Sequence, residues 1–345
     1  MLKRILNAGL LLFSFGMCYS ACSADMSILK TAGATGDELL DLATDSGEAA
    51  KSCIDSKATQ VTTSRPVDVI FVIDNSGSMS EEIDSITKNI NEHFVDSMVK
   101  AGLDYRVIAI VLHGEKNSWS NTACFEEPLS TIPKGGCATI GKNPPGNNPG
   151  KFYHYSYDVQ SNDSLCIILD TLTATNDRPD TFGLAPGGWV KWLRKSAFKV
   201  FVEVTDDMPN CYWYPNPSNQ NSKKAFNDFS SNLGGQIMAL EWDKTLLKRF
   251  PDQFGTPEKR NYVFFSIVGM MEKPVATDDD TGFQIDPLGE PADPFTPSEG
   301  ITSDVCSTAV GAGHGYQWLS KITGGLRFPV CQAEKFDIVF EKIAE

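Results

Sequence analysis

Val67-Asp-Val-Ile-Phe-Val-Ile-Asp-Asn-Ser-Gly-Ser78 is the stretch on which the architecture of this chain turns. Its first seven residues are apolar except for Asp68 and mostly β-branched, about as long as a buried parallel strand. The run stops at Asp74, and the oxygens of Asp74, Ser76 and Ser78 follow at alternate positions, where a strand's carboxyl end meets a loop. In open α/β sheets, ligands bind at that edge. One carboxylate with two hydroxyls suits a hard divalent ion such as Mg2+, which takes oxygen ligands in octahedral geometry and keeps several waters. Ca2+ and Mn2+ are the alternatives. Ser78-Met79-Ser80-Glu81 also fits a capping box, which would assign the hydroxyls to the start of the next helix.

The flanking sequence continues the pattern. Ile83, Ile86, Ile90, Phe94, Val95 and Met98 recur in steps of three and four, which predicts a helix over 79–101 of about five to six turns. Gly102 ends it. Tyr105 to Leu112 reads as a second strand. Phe198 to Val204 is a further strand that reaches Thr205-Asp206-Asp207, and Tyr262 to Val268 is another. Strands alternating with helices predict an α/β fold, a doubly wound, mostly parallel sheet flanked by helices, with long loop insertions.

Asp74-x-Ser76-x-Ser78 on such a strand resembles the metal-ion-dependent adhesion site of von Willebrand factor type A domains, a Rossmann-like fold also found in integrin inserted domains. The resemblance covers 62–345 in outline. It closes with Gly315 to Ser320, then Thr323-Gly324-Gly325, a strand over Leu326 to Val330 and a helix over Ala333 to Ile343. It implies that an Asp from a strand ending Thr-Asp-Gly completes the metal shell together with a Thr from another loop. Thr205-Asp206 matches that ending, with Asp207 in the place of Gly, so Asp206 is the implied fourth residue. Thr181, in Asp180-Thr181-Phe182-Gly183, is the best match for the Thr; Thr173, Thr175, Ser161 and Ser164 lie in the same region. The implied function is metal-dependent adhesion or assembly. An ion with few direct carboxylates keeps positive charge and an open position for an Asp or Glu of a protein partner. The alternative is a scaffold of the periplasm or cell surface whose site is stabilising or vacant.

Composition narrows the setting. A chain of 345 residues, 41% hydrophobic, can bury one substantial core plus insertions. A formal net charge of −14 argues against nucleic acid and anionic membrane surfaces as partners. Lys3 and Arg4 precede an apolar segment, Ile5 to Phe15, too short to span a bilayer, and small residues follow around Ser20, Ala21, Cys22 and Ala24. Residues 1–24 therefore read as a signal peptide, and the protein as exported to a bacterial envelope or beyond. Tyr19-Ser20-Ala21-Cys22 resembles a lipobox with Cys22 as the lipidated residue, and cleavage after Ala24 competes with it. Such an anchor would be the protein's one attachment to the membrane. Residues 25–61 read as a spacer, and 62–345 as the domain, with insertions at about 114–157, 207–224 and 270–305.

Seven cysteines follow the signal: Cys53, Cys124, Cys137, Cys166, Cys211, Cys306 and Cys331. Their spacing suggests disulfides in an oxidising compartment rather than a zinc site. Cys124 with Cys137 and Cys306 with Cys331 are the expected bridges; Cys53, Cys166 and Cys211 cannot be paired from sequence. The first insertion carries Phe152, Tyr153, Tyr155 and Tyr157. Tyr212, Trp213 and Tyr214, just beyond Asp206, read as a partner-recognition surface, with packing beneath the insertion as the other reading. Asp278, Asp279, Asp280, Asp286, Glu290 and Asp293 read as a solvated acidic loop, because the order of an EF-hand is absent. His93, His113, His154 and His314 stand apart from any nucleophile motif, so no catalytic residue is assigned and the chain reads as a binding protein, not an enzyme.

Overall fold

Side-chain alternation divides β1 (Val67–Ile73) between two cores. Val69, Phe71 and Ile73 face one, Ile70 and Val72 the other. The computed structural model describes residues 65–115, 119–174, 178–216, 219–273, 294–332 and 336–344. All of them fall in the unit Thr63–Glu345. β1 lies inside a six-stranded sheet with β2 (Tyr105–Ile110), β3 (Phe152–Tyr155), β4 (Phe198–Thr205), β9 (Tyr262–Val268) and β10 (Arg327–Pro329). The order is β3-β2-β1-β4-β9-β10, and every neighbouring pair is parallel. Two short antiparallel pairs lie outside it, β5 (Asn210–Trp213) with β6 (Lys224–Asn227) and β7 (Gly255–Thr256) with β8 (Lys259–Arg260).

A parallel sheet buries both faces, and helices supply the cover. On one side lies α1, which runs through Ser80–Asn89, a π-helical turn at Ile90–Phe94 and Val95–Lys100, together with α6 (Phe336–Ala344). Ile86, Ile90, Phe94 and Met98 recur at steps of four, and on a regular helix each step would rotate the stripe by about 40°. The wide π turn absorbs that drift and keeps all four buried. Phe71, Phe94 and Phe340 meet edge to face there, with centroids 5.1 to 5.7 Å apart. α1 begins from a 3-10 turn at Gly77–Met79 without a side-chain cap, so the alternative reading of Ser78 to Glu81 as a capping box does not hold. Gly102 follows its end at φ +66°.

α2 (Ser164–Thr171), α3 (Asn232–Arg249) and α5 (His314–Thr323) pack on the other side around Phe201, Trp242 and Phe264; the short α4 (Pro251–Phe254) follows α3. α3 has no clean apolar period, because Leu233, Ile237 and Leu240 are exposed while Met238, Trp242 and Leu246 are buried. The aromatic cluster of the first insertion is in part β3, with Phe152 and Tyr155 buried, so the long loop read there contains an edge strand. Both expected bridges are present, and a third joins Cys166 to Cys211. Three disulfides mark an oxidising, extracytoplasmic environment. No helix among the described residues is long and apolar enough to cross a membrane. Cys22, Cys53, Thr175 and the acidic run from Asp278 to Asp293 lie outside the described residues.

Candidate metal centre

The chain leaves β1 toward β2 and β3 on one side and later returns to β4 on the other, so the carboxyl ends of β1 and β4 flank the reversal point of the sheet, where a crevice opens for ligands. Register sets Ile73 opposite Val204 and brings the next residues together. Thr205 Oγ1 donates to Asp74 Oδ2 at 2.8 Å, and the Ser76 N–H donates to Asp74 Oδ1 at 2.8 Å. The Ser76 and Ser78 hydroxyls stand 3.2 Å apart. Asp74 and Ser76 are buried and Ser78 is exposed, so the group opens to solvent through Ser78.

Asp206 is 0% exposed, and neither of its carboxylate oxygens has a hydrogen-bond partner among the described residues. Burial pushes its carboxyl up to about 6; Ser78 is near enough to ease the shift, while Asp207 and Glu82 add to it. Burial likewise pushes Asp74 up to about 7, against the bonds from Ser76 and Thr205 and with help from the Asp206 charge. Glu82 is itself buried, in the first turn of α1. A buried carboxylate with both oxygens bare and acids around it lacks a counter-charge. Two carboxylates and two hydroxyls form an all-oxygen donor set that fits a hard divalent cation. Asp74, Ser76, Ser78 and Asp206 would hold it.

Further residues build the frame. Asn75, which the spacing pattern leaves as a free position, accepts from the N–H groups of Leu112 (3.2 Å) and Val159 (2.8 Å) on Oδ1 and donates to Asp158 (2.6 Å). It thereby ties the loops after β1, β2 and β3. Asn121 donates to the Ser76 carbonyl at 2.6 Å, and Ser120 bridges to Ser76, so the first insertion rests on the loop after β1. Trp119, 82% exposed, borders it there, its carbonyl 3.7 Å from where a Cβ on Gly77 would stand. Behind the site, Glu203 on β4 is wholly buried with both carboxylate oxygens unpartnered among the described residues. Burial pushes its carboxyl well above the ordinary range, with Asp74 and Asp163 adding to the shift.

Two sequence expectations change. Thr181 is exposed, and its hydroxyl and N–H both donate to the Ser156 carbonyl at 2.8 Å. No contact joins it to Asp74 or Asp206 among the described residues. From that region Ser161 is the residue that reaches the crevice, its carbonyl 3.4 Å from the Thr205 hydroxyl. Ser164 is bonded to the Tyr316 hydroxyl, and Thr173 accepts from Arg249. Trp213 belongs to the core: it is 4% exposed, with the Arg249 guanidinium 5.1 Å over its ring. The alternation of β5 turns Cys211 and Trp213 inward and leaves Tyr212 half-exposed beneath the Lys223 ammonium, 3.3 Å from its ring; Tyr214 is half-buried.

Three of the histidines have partners that spacing could not show. His113 and His154 stack edge to face at 5.2 Å, and burial pushes His154 down to about 3, which leaves it neutral. His314 Nε2 meets the Ser303 hydroxyl at 3.0 Å, but its Nδ1 is 4.0 Å from Asp228, beyond hydrogen-bond reach, and Asp228 already accepts from Ser230 and Gly315. His93 stands on α1 beside Glu92. No protein-family model, curated protein or solved structure matches the chain.

Proposed function

We propose that this protein is an exported, divalent-cation-dependent binding module of the von Willebrand factor type A kind, in which Mg2+ at Asp74, Ser76, Ser78 and Asp206 takes an acidic side chain of a protein partner. The observation that carries the reading is Asp206, a fully buried carboxylate with two bare oxygens across from Asp74 at the reversal point of the sheet. A shell of few carboxylates leaves positive charge on the ion for an incoming Asp or Glu. The Ser161 carbonyl, 3.4 Å from the Thr205 hydroxyl, borders the group only through Thr205 and is not counted among the ligands. Trp119, exposed on the insertion that rests on Ser76, takes the role of aromatic anchor that the buried Trp213 cannot play. Ca2+ or Mn2+ would fit the same oxygens.

A second reading keeps the metal structural, and one feature favours it: both oxygens of Asp74 are already bonded, to Ser76 and Thr205. One experiment separates the two. The protein is used to capture partners from an envelope extract with Mg2+ and with chelator. Loss of the partner on chelation supports metal-mediated binding. Retention of the partner with a lowered melting temperature assigns the ion to stability alone.

A further inference from the structure

A groove of about 450 Å3 lies between α3 and the β5–β6 hairpin, within the size range of small-molecule sites. Lys224, Lys244, Lys248 and Arg249 line it against a single acid, Glu241. That concentration of cations is unexpected in a chain whose net charge is −14. The fold assembles it simply: Glu241, Lys244 and Lys248 follow at steps of three and four along α3, on one helix face, and the hairpin register sets Trp213 opposite Lys224. Lys224 is engaged by Glu241 and by Thr245. Arg249 donates to the Leu169 carbonyl at 2.8 Å and lies over Trp213. Lys244 and Lys248 are exposed and form no ion pair among the described residues.

The second observation is Trp213, which also lines the groove. It is 4% exposed, and its indole N–H, which can only donate, has no acceptor among the described residues. A buried donor without an acceptor is disfavoured, and a ligand oxygen that reached it would remove the penalty. We propose that this groove binds a small molecule through a phosphate or sulfate ester. A tetrahedral oxyanion offers acceptors in several directions, so it can meet the indole N–H and two ammonium groups together, and lysine serves such groups as a point charge. The groove is large enough to take an organic remainder beside the anion. None of the residues lining this groove belongs to the candidate metal centre.

The test is calorimetric titration of the purified protein, in chelator so that no metal can hold the anion. The probes are inorganic phosphate, glucose 6-phosphate and glucose. Saturable binding of glucose 6-phosphate, and no binding of glucose, is expected. Trp213→Phe, which keeps a buried ring and removes the donor, should weaken binding about tenfold. The exposed pair Lys244→Glu with Lys248→Glu should abolish it without moving the melting temperature. Sedimentation with phosphatidylglycerol vesicles distinguishes the sources: co-sedimentation that glucose 6-phosphate competes away assigns a lipid headgroup, and binding of the soluble ester alone assigns a free metabolite. No saturable binding of any phosphate probe, or binding that survives the double charge reversal, would overturn the proposal.

Discussion

Glu203 shows what a wholly buried acid contributes when no cation pairs with it among the described residues and only the Ser164 hydroxyl eases its burial. Its folded-state pKa lies well above the ordinary value near 4.5 because of burial, so in the native state it keeps a proton that the unfolded chain releases as pH rises. The unfolded state then binds fewer protons, and stability falls with rising pH, by up to about 1.4 kcal/mol per unit for one proton. Glu203→Gln should therefore match the parent at pH 4 and exceed it in stability at pH 8, read as urea midpoints in chelator. Equal midpoints at both pH values would show that Glu203 is ionised in the fold. Glu203 could not be recognised from sequence, since one Glu within Phe198 to Val204 does not disturb a strand pattern. The placement of Asp74, Ser76, Ser78 and Asp206 at adjoining strand ends was legible because each follows an apolar run, and a strand end fixes where its next residues go. The place of Thr181 was not legible, because the Ser156 carbonyl that its hydroxyl meets lies 25 residues away in sequence, a tertiary fact. Trp213 was misread because the phase of a four-residue hairpin strand, not nearness to Asp206, decides which side is buried.

Elements follow the same logic over longer spans. The period of α1 was readable, but its π turn follows from carrying steps of four along a helix of 3.6 residues per turn, and at Ser78 a 3-10 turn without a side-chain cap stands where the capping signal lay. Phe94 sits in that turn against Phe71 and Phe340, so Phe94→Ala should cost about 3–5 kcal/mol. Urea denaturation checks this; a cost under about 1 kcal/mol would mean that the turn is not packed as described. The hairpin β5–β6 is held to α2 by Cys166–Cys211, a bridge that sequence could not assign because three cysteines allowed several pairings. Its sequence separation of 45 gives a loop-closure contribution of about 4 kcal/mol. Replacing both cysteines by Ala should lower the unfolding free energy by roughly that amount. Trp213→Ala should destabilise the fold for the same reason of burial, whereas Trp119→Ala should leave the melting temperature unchanged and weaken partner capture. Unchanged partner capture by Trp119→Ala would remove the first insertion from the recognition surface.

For the molecule as a whole, the wholly parallel sheet explains why one edge gathers the chemistry. Every strand ends on the same side, and the two that flank the reversal of strand order deliver Asp74 and Asp206 to one crevice. The disulfides suit a protein outside the cytoplasm. The most direct measurement is calorimetric titration of Mg2+ and Mn2+ into the chelator-stripped protein, with Asp74→Ala and Asp206→Ala beside it. One saturable site is predicted in the parent, with binding abolished in each variant while circular dichroism shows the fold intact. A parent that binds no divalent ion, or an Asp206→Ala protein that binds it as well as the parent, would contradict the metal centre.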